Sequence, residues 1–198
     1  MTKETREQWL ERATKLLDQE IFKAAGLEVP HDVKISCGWP VSGGASAKRT
    51  TIGQCFARSA SAAGVNEIFI SPKLAETERV LDVLMHELIH AIDDCQNGHK
   101  APFKRMALAV GLQGKMTATT ASDELKERLN ALIETLGQYP HDALDYSQIK
   151  KQNTRMLKVH CTDCGFAFRA NKSQIEKIDF SKGCVSHGCD GHLTVEVK

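Results

Sequence analysis

No apolar run in the sequence is long enough to cross a membrane, and nothing in it resembles a secretory signal peptide, so neither is expected. Residues 2–20 are charged and amphipathic, without the unbroken apolar stretch of a secretory signal. We therefore expect a cytoplasmic protein with no membrane partner. A strong charge imbalance is also missing, because the net charge is only +1. With 198 residues, 41% of them hydrophobic, the chain suits one globular domain and a small second module.

Disulfide bonds are not expected in a cytoplasmic protein, so the seven cysteines need another explanation. Three are scattered and are predicted to be small buried thiols: Cys37, Cys55 and Cys95. The other four form two close pairs near the C-terminus: Cys161, Cys164, Cys184 and Cys189.

The most informative motif is Met85-His86-Glu87-Leu88-Ile89-His90. On a helix, His86 and His90 share one face and can bind a single Zn²⁺, and Glu87 lies where a base could meet a metal-bound water. A histidine pair can also simply pack or face solvent. The neighbouring residues are apolar on most sides, so the helix is predicted to be buried, and unpaired polar groups there cost about 2 to 7 kcal/mol each. This pattern is typical of a zinc peptidase.

A catalytic zinc site usually has three protein ligands and leaves a fourth position for water. Gln96 stands where the metzincin pattern needs its third histidine, which excludes that pattern. His99 follows the Asn97-Gly98 turn and is the favoured third ligand, because the chain can double back there. Three rivals remain open: Asp93, Asp94 and His141. The two aspartates lie on the same helix and more readily orient a ligand than complete a tetrahedral site.

The C-terminal cysteines predict a structural zinc ribbon. Cys161 and Cys164 form a knuckle with the usual two-residue gap, and Cys184 and Cys189 enclose four residues instead. His187 would restore the usual gap as an alternative to Cys189, which we favour. A reduced hairpin without metal is the other interpretation.

Apolar periodicity predicts an α+β fold of helices and a small mixed sheet before a small β zinc ribbon. The histidine motif, and not the periodicity, makes a zincin-like type the expectation for the first domain. Helices are predicted over 5–25, 77–95, 101–110 and 122–136, and β-rich segments over 33–37, 51–56 and 67–70. The domains are predicted over 1–140 and 154–198, with a linker over 141–153. The small second domain needs a metal to hold it together.

Basic residues are concentrated around the ribbon: Lys150, Lys151, Arg155, Lys158, Arg169 and Lys172. Phe166 and Phe168 lie between them. Such a surface could hold phosphate and stack an unpaired base, so DNA that is single-stranded or has unpaired regions is a candidate partner. It could equally be a solvated face over two core phenylalanines.

Together these motifs resemble the SprT-like metallopeptidases, the family that includes the eukaryotic protease Spartan. The resemblance rests on Ser71-Pro72, the motif from His86 to His90, Gly98-His99 with Phe103 and Met106, and the ribbon opening at Cys161. It covers most of 33–198 and implies that His86, His90 and His99 bind a catalytic zinc, with Glu87 as general base. Family members cleave proteins, in some cases proteins attached to DNA. Small members with a ribbon occur in bacteria and their phages, so a bacterial cell or a phage-infected host is the expected source.

The leading hypothesis is therefore a zinc-dependent endopeptidase with one catalytic and one structural Zn²⁺, acting on a protein or peptide substrate. In that mechanism Glu87 takes a proton from the water that zinc activates and passes it to the leaving amine. The strand over 67–70 is predicted to be the sheet edge that receives the substrate. No residue is identified as an oxyanion donor. The main alternative is a non-catalytic, zinc-stabilised nucleic-acid-binding or adaptor protein, and a zinc hydrolase acting on another substrate is a third.

Overall fold

The computed structural model describes residues 4–41, 51–145 and 156–196. The chain divides into two compact units, residues 1–149 and 150–198, and each has its own hydrophobic core. Helices and small mixed sheets make up the first unit, so the predicted α+β class is confirmed. None of the described helices is long and apolar enough to cross a membrane.

The chain enters the first unit through α1 (Arg6–Leu17). Thr5 caps this helix: its hydroxyl accepts a hydrogen bond from the Gln8 backbone N–H, and its own backbone N–H donates to the Gln8 side-chain oxygen. A π-helical turn (Asp18–Phe22) and a 3-10 turn (Lys23–Ala25) prolong it. Gly26, with φ of 71°, ends the segment where the sequence predicted.

Three short strands form the mixed sheet: β1 (Lys34–Cys37), β2 (Gly53–Phe56) and β3 (Glu67–Ile70). Their order is β1-β3-β2, with β3 parallel to β1 and antiparallel to β2. The prediction that 67–70 is a sheet edge is therefore wrong, because β3 is the central strand. Among the described residues, β2 is the edge strand that faces the next helix.

The buried helix is α2 (Thr77–Ile92), which carries the histidine motif. Most of its apolar residues are fully buried, as predicted: Val80, Leu81, Val83, Leu84, Met85, Leu88 and Ile89. The helix ends three residues before the predicted limit. Asp94 and Cys95 have φ of 50° and 59°, so the backbone turns left-handed before the Asn97-Gly98 pair is reached. The Cys95 N–H bonds the His90 carbonyl at 2.8 Å and closes this turn.

Four elements follow α2: α3 (Ala101–Ala109), β4 (Leu112–Lys115), β5 (Ala118–Ala121) and α4 (Asp123–Leu136). Both helices lie where the sequence predicted them, and Ser122 caps α4 by accepting a bond from the Leu125 N–H at 3.2 Å. The antiparallel hairpin β4-β5 was not predicted. Beyond α4, Tyr139 packs against Trp9 and the Leu144 N–H bonds the Pro72 carbonyl. Part of the stretch expected to be linker thus packs on the first unit.

The described part of the second unit contains a three-stranded antiparallel sheet in the order β7-β6-β8, one short α-helix and a 3-10 turn (Phe180–Lys182). Its elements are β6 (Leu157–Cys161), β7 (Ala167–Ala170), α5 (Lys172–Ile175) and β8 (Leu193–Glu196). Five residues form its buried core: Val159, Cys161, Ala170, Ile175 and Leu193. So small a core needs further support, which a bound metal can provide.

The edge strand β2 approaches α2 more closely than a side chain would allow. A Cβ atom placed on Gly53 would lie 2.5 Å from Val83 Cγ1 and 2.6 Å from Glu87 Oε1. Glycine at position 53 therefore lets the backbone of the strand lie directly on the helix, beside the carboxylate of the motif.

Candidate metal centres and the cleft beside the histidines

The imidazoles of His86, His90 and His99 converge on one point. The Nε2 atom of His99 lies 3.0 Å from Nε2 of His86 and 3.2 Å from Nε2 of His90. Tetrahedral coordination with Zn–N bonds of about 2.0 to 2.1 Å separates ligand nitrogens by about 3.3 to 3.4 Å. The three nitrogens therefore fit a zinc ion with little adjustment.

The histidines are held in the neutral form that a metal requires. Burial, with a further contribution from the neighbouring imidazoles, lowers the pKa of His86 to about 3 and that of His90 to about 4. Burial also lowers the pKa of the more exposed His99. Neutral imidazoles keep a lone pair for coordination at physiological pH.

Two further residues position the imidazoles. Nδ1 of His86 lies 2.9 Å from the Thr119 hydroxyl on β5. That hydroxyl can accept from Nδ1–H in the tautomer whose Nε2 lone pair faces the other two histidines. Phe103 of α3 is fully buried, and its ring lies 4.5 to 5.0 Å from all three imidazole rings. It forms the apolar wall of the cluster.

Glu87 lies beside this cluster and is 6% exposed. The Cys55 backbone N–H of β2 donates a hydrogen bond to its carboxylate. Burial nevertheless dominates and raises the pKa of Glu87 to about 8. A carboxyl group with a raised pKa next to candidate metal ligands is typical of a general acid or base.

The three histidines of the cluster and Glu87 line a cleft of about 940 Å³. One wall is β2 with the residues before it, and the other is the β4-β5 hairpin at Thr117, Ala118 and Thr119. Two hydrogen bonds from side chains of α2 to the β5 backbone hold the hairpin in place. Asp82 accepts a hydrogen bond from the Ala121 N–H at 3.0 Å, and Arg79 donates to the Thr119 carbonyl at 3.2 Å.

The other candidates for a third ligand lie elsewhere. Asp94 accepts hydrogen bonds from the Arg58 N–H at 2.7 Å and from the Asn66 side chain at 2.8 Å. Asp93 accepts a bond from Asn97, and the ring of His141 contacts the Pro72 carbonyl. Among the described residues, only His99 joins the two motif histidines in a group able to hold a metal.

Four cysteines form a second candidate metal site, in the C-terminal unit: Cys161, Cys164, Cys184 and Cys189. Sulfur atoms lie 3.7 Å apart in the pair Cys161 and Cys189, and 3.6 Å apart in the pair Cys164 and Cys184. Zn–S bonds of about 2.3 Å in a tetrahedron separate sulfurs by about 3.8 Å, so the cluster also fits zinc. Backbone N–H groups of Ser186 and Gly191 donate to the Cys184 and Cys189 sulfurs. His187 is not part of this group.

The basic residues are only partly described. Lys150, Lys151 and Arg155 lie outside the described residues. Lys158 and Arg169 occupy paired positions on β6 and β7, and Lys158 also forms an ion pair with Glu196 at 3.3 Å. Lys172 begins α5. Phe168 packs on the ribbon core, whereas Phe166 is 38% exposed.

Sequence reasoning missed Thr119 and the Cys55 backbone. Thr119 is 33 residues from His86, in a hairpin whose strands have little apolar alternation. The role of the Cys55 N–H could not be predicted, because every residue except proline has a backbone N–H and the residue type does not show which one is used. A run such as Ala118-Thr-Thr-Ala121 between two predicted helices was the available signal for a short hairpin.

Thr119→Val keeps the shape of the side chain but removes the hydroxyl next to His86 Nδ1. We expect about tenfold to 100-fold weaker zinc binding at the histidine site, because an outer partner orients the ligand. Competition with a chromophoric chelator measures the affinity. Thr120→Val on the exposed face of the same strand is the matched control and should bind zinc normally. Unchanged affinity in Thr119→Val would show that the hydroxyl does not orient His86.

The raised pKa of Glu87 predicts a pH-dependent stability of the metal-free chain. Folding favours the protonated carboxyl, so the wild type loses stability as pH rises from the ordinary value of 4.5 to about 8. Glu87→Gln lacks this loss. Its free energy of unfolding should rise above that of wild type by about 1.4 kcal/mol for each pH unit across this interval, as an upper limit. Urea unfolding with a chelator present tests this, and a difference independent of pH would contradict it.

The model that describes the SprT-like family matches residues 10–122. The matched stretch includes His86, Glu87, His90 and His99 and ends before the ribbon cysteines. No curated protein and no solved structure matches the chain. The matched residues are more than half of the 198 in the sequence, and they contain the histidine cluster and its glutamate. The chain therefore belongs to the SprT-like family.

Proposed function

We propose that this protein is a zinc-dependent endopeptidase with Glu87 as general base. The observation that carries the proposal is the convergence of three imidazole nitrogens beside a buried glutamate, at the floor of an open cleft. Membership of the SprT-like family, which is metallopeptidase-like, supports the same conclusion.

Each residue of the site has a separate role in the proposed reaction. His86, His90 and His99 would hold the metal, and Thr119 and Phe103 would fix their orientation. When bound, zinc supplies a Lewis acid that polarises a carbonyl and lowers the pKa of a water molecule. The charge of a zinc ion held by the three neutral histidines would also favour the ionised form of Glu87 over the neutral form. The Glu87 carboxylate then takes the proton from the attacking water and returns it to the leaving amine.

The substrate is proposed to be an extended polypeptide segment paired along β2. This strand is an edge of the described sheet, and its residues Gly53, Gln54 and Cys55 line the cleft together with the histidines. Strand addition to such an edge provides backbone hydrogen bonds independent of the substrate sequence. The small side chains of the opposite wall, Thr117, Ala118 and Thr119, leave room for substrate side chains.

The alternative function is a zinc-stabilised adaptor without catalysis. A fold retained only for structure has no chemical need for a buried glutamate next to three histidines. Burying that carboxyl destabilises the fold unless it is protonated or compensated, as its raised pKa indicates. Its presence therefore favours the enzyme.

Glu87→Gln separates the two functions. The variant should retain zinc at both candidate sites, because glutamine replaces no ligand, but it should cleave an unfolded protein such as casein at least about 100-fold more slowly. Metal analysis and gel-based proteolysis provide the two measurements.

Two variants control the metal content of that experiment. His90→Ala should lose the zinc of the histidine site and keep that of the cysteine site, and Cys161→Ser should do the reverse. Cleavage by Glu87→Gln at the wild-type rate would remove Glu87 from the mechanism. Absence of zinc from the histidine site in wild type would favour the adaptor.

We further propose that the C-terminal unit directs the enzyme to DNA with unpaired bases. Lys158 and Arg169 are cross-strand neighbours and could share a phosphate, and the exposed ring of Phe166 could stack on a base. Proteins associated with such DNA would then be the substrates.

Arg169→Gln tests the DNA contact. Binding of a fluorescent single-stranded oligonucleotide should weaken, and the slope of log K against log salt should decrease in magnitude by about 0.7, the value for one lost phosphate contact. Arg105→Gln, an exposed arginine on α3, is the matched control and should leave both quantities unchanged. Equal behaviour of the two variants would exclude Arg169 from a DNA interface.

A further inference from the structure

Two cysteines separated by 40 residues meet on the wall of the cleft. Cys95 Sγ donates to the Cys55 carbonyl oxygen at 3.6 Å, Cys55 Sγ donates to the Phe56 carbonyl oxygen at 3.7 Å, and the two thiols are close enough for each to shift the pKa of the other. Both side chains are half-buried and both line the cleft next to Glu87. The sequence predicted two unrelated buried thiols, so their pairing is a finding of the structure.

An unusual backbone turn brings Cys95 to this position. Asp94 and Cys95 are the only described residues other than glycine with positive φ, a conformation that side chains disfavour. Asp94 is held there by its bonds to the Arg58 N–H and the Asn66 side chain. Cys95 is held by its N–H bond to the His90 carbonyl, and its sulfur is thereby directed at Cys55. The turn therefore places the thiols together although the sequence separates them.

We propose that Cys55 and Cys95 form an oxidisable dithiol, and that their disulfide is a reversible covalent modification of the cleft wall. The oxidant would be a peroxide. One cysteine, as its thiolate, attacks an oxygen of hydrogen peroxide and becomes a sulfenic acid. The O–O bond breaks, and the other oxygen leaves as hydroxide, which is protonated to water. The second thiol attacks the sulfenic sulfur, and a second water leaves as the S–S bond forms. The two thiols lose two electrons and two protons in total, and peroxide is reduced to water.

The position of this pair gives the modification a structural effect. Cys55 belongs to β2 and its N–H binds the Glu87 carboxylate. Cys95 lies in the turn that leads from α2 to His99. A disulfide would therefore join the strand that holds the glutamate to the turn that carries the third histidine. The modification itself does not depend on the proposed peptidase activity.

The test uses the full chain loaded with zinc, which protects the ribbon cysteines. The chain is treated with equimolar hydrogen peroxide, quenched with iodoacetamide at successive times, digested and analysed by mass spectrometry. We expect a linked peptide pair containing Cys55 and Cys95, formed about tenfold faster than Cys37 on β1 is modified. Dithiothreitol should reverse it.

Three results would overturn the proposal. They are oxidation of Cys55 and Cys95 at the rate of Cys37, separate sulfinic acids on the two residues, and links from either residue to a ribbon cysteine. Cys55→Ser and Cys95→Ser should each abolish the link and leave Cys37 unaffected. If either variant fails to fold, the time course of the wild type alone decides, because it compares thiols within one chain.

Discussion

The burial of α2 is the constraint on which the rest of the first unit depends. An apolar helix drives the core together, but this one also carries Asp82, His86 and Glu87 into the interior, where each polar group needs a partner. The partners come from different elements: the Ala121 N–H and Thr119 hydroxyl from β5, and the Cys55 N–H from β2. The polar side chains of α2 thus hold in place both walls of the cleft, which are β2 and the β4-β5 hairpin.

The end of α2 is equally important for the histidine site. An α-helix that continued to Cys95 would carry the chain away from His90, whereas the left-handed turn at Asp94 and Cys95 returns it within five residues. His99 then meets His86 and His90, and Phe103 on the following helix closes the back of the cluster. Local backbone strain is accepted here because hydrogen bonds to Arg58 and Asn66 compensate for it.

The sequence predicted well what depends on local periodicity, and poorly what depends on contacts between distant segments. His86 and His90 share a helix face for reasons contained in five residues, and β3 has the predicted bounds. Its place at the centre of the sheet could not be predicted, because strand order is decided by packing across the whole unit. Thr119 was missed for the same reason. The choice between Cys189 and His187 also depended on three-dimensional geometry, since the spacing of the knuckle permits either.

Gly53 links the position of β2 to the environment of Glu87. Because Gly53 has no side chain, the β2 backbone can lie directly on Val83 and the Glu87 carboxylate. Two residues further on, the Cys55 N–H donates a hydrogen bond to the same carboxylate. The position of β2 and that of the Glu87 carboxylate are therefore coupled. A movement of the strand away from α2 would break the Cys55 hydrogen bond and let water reach the carboxyl, so the close packing at Gly53 also maintains the burial that raises the pKa of Glu87.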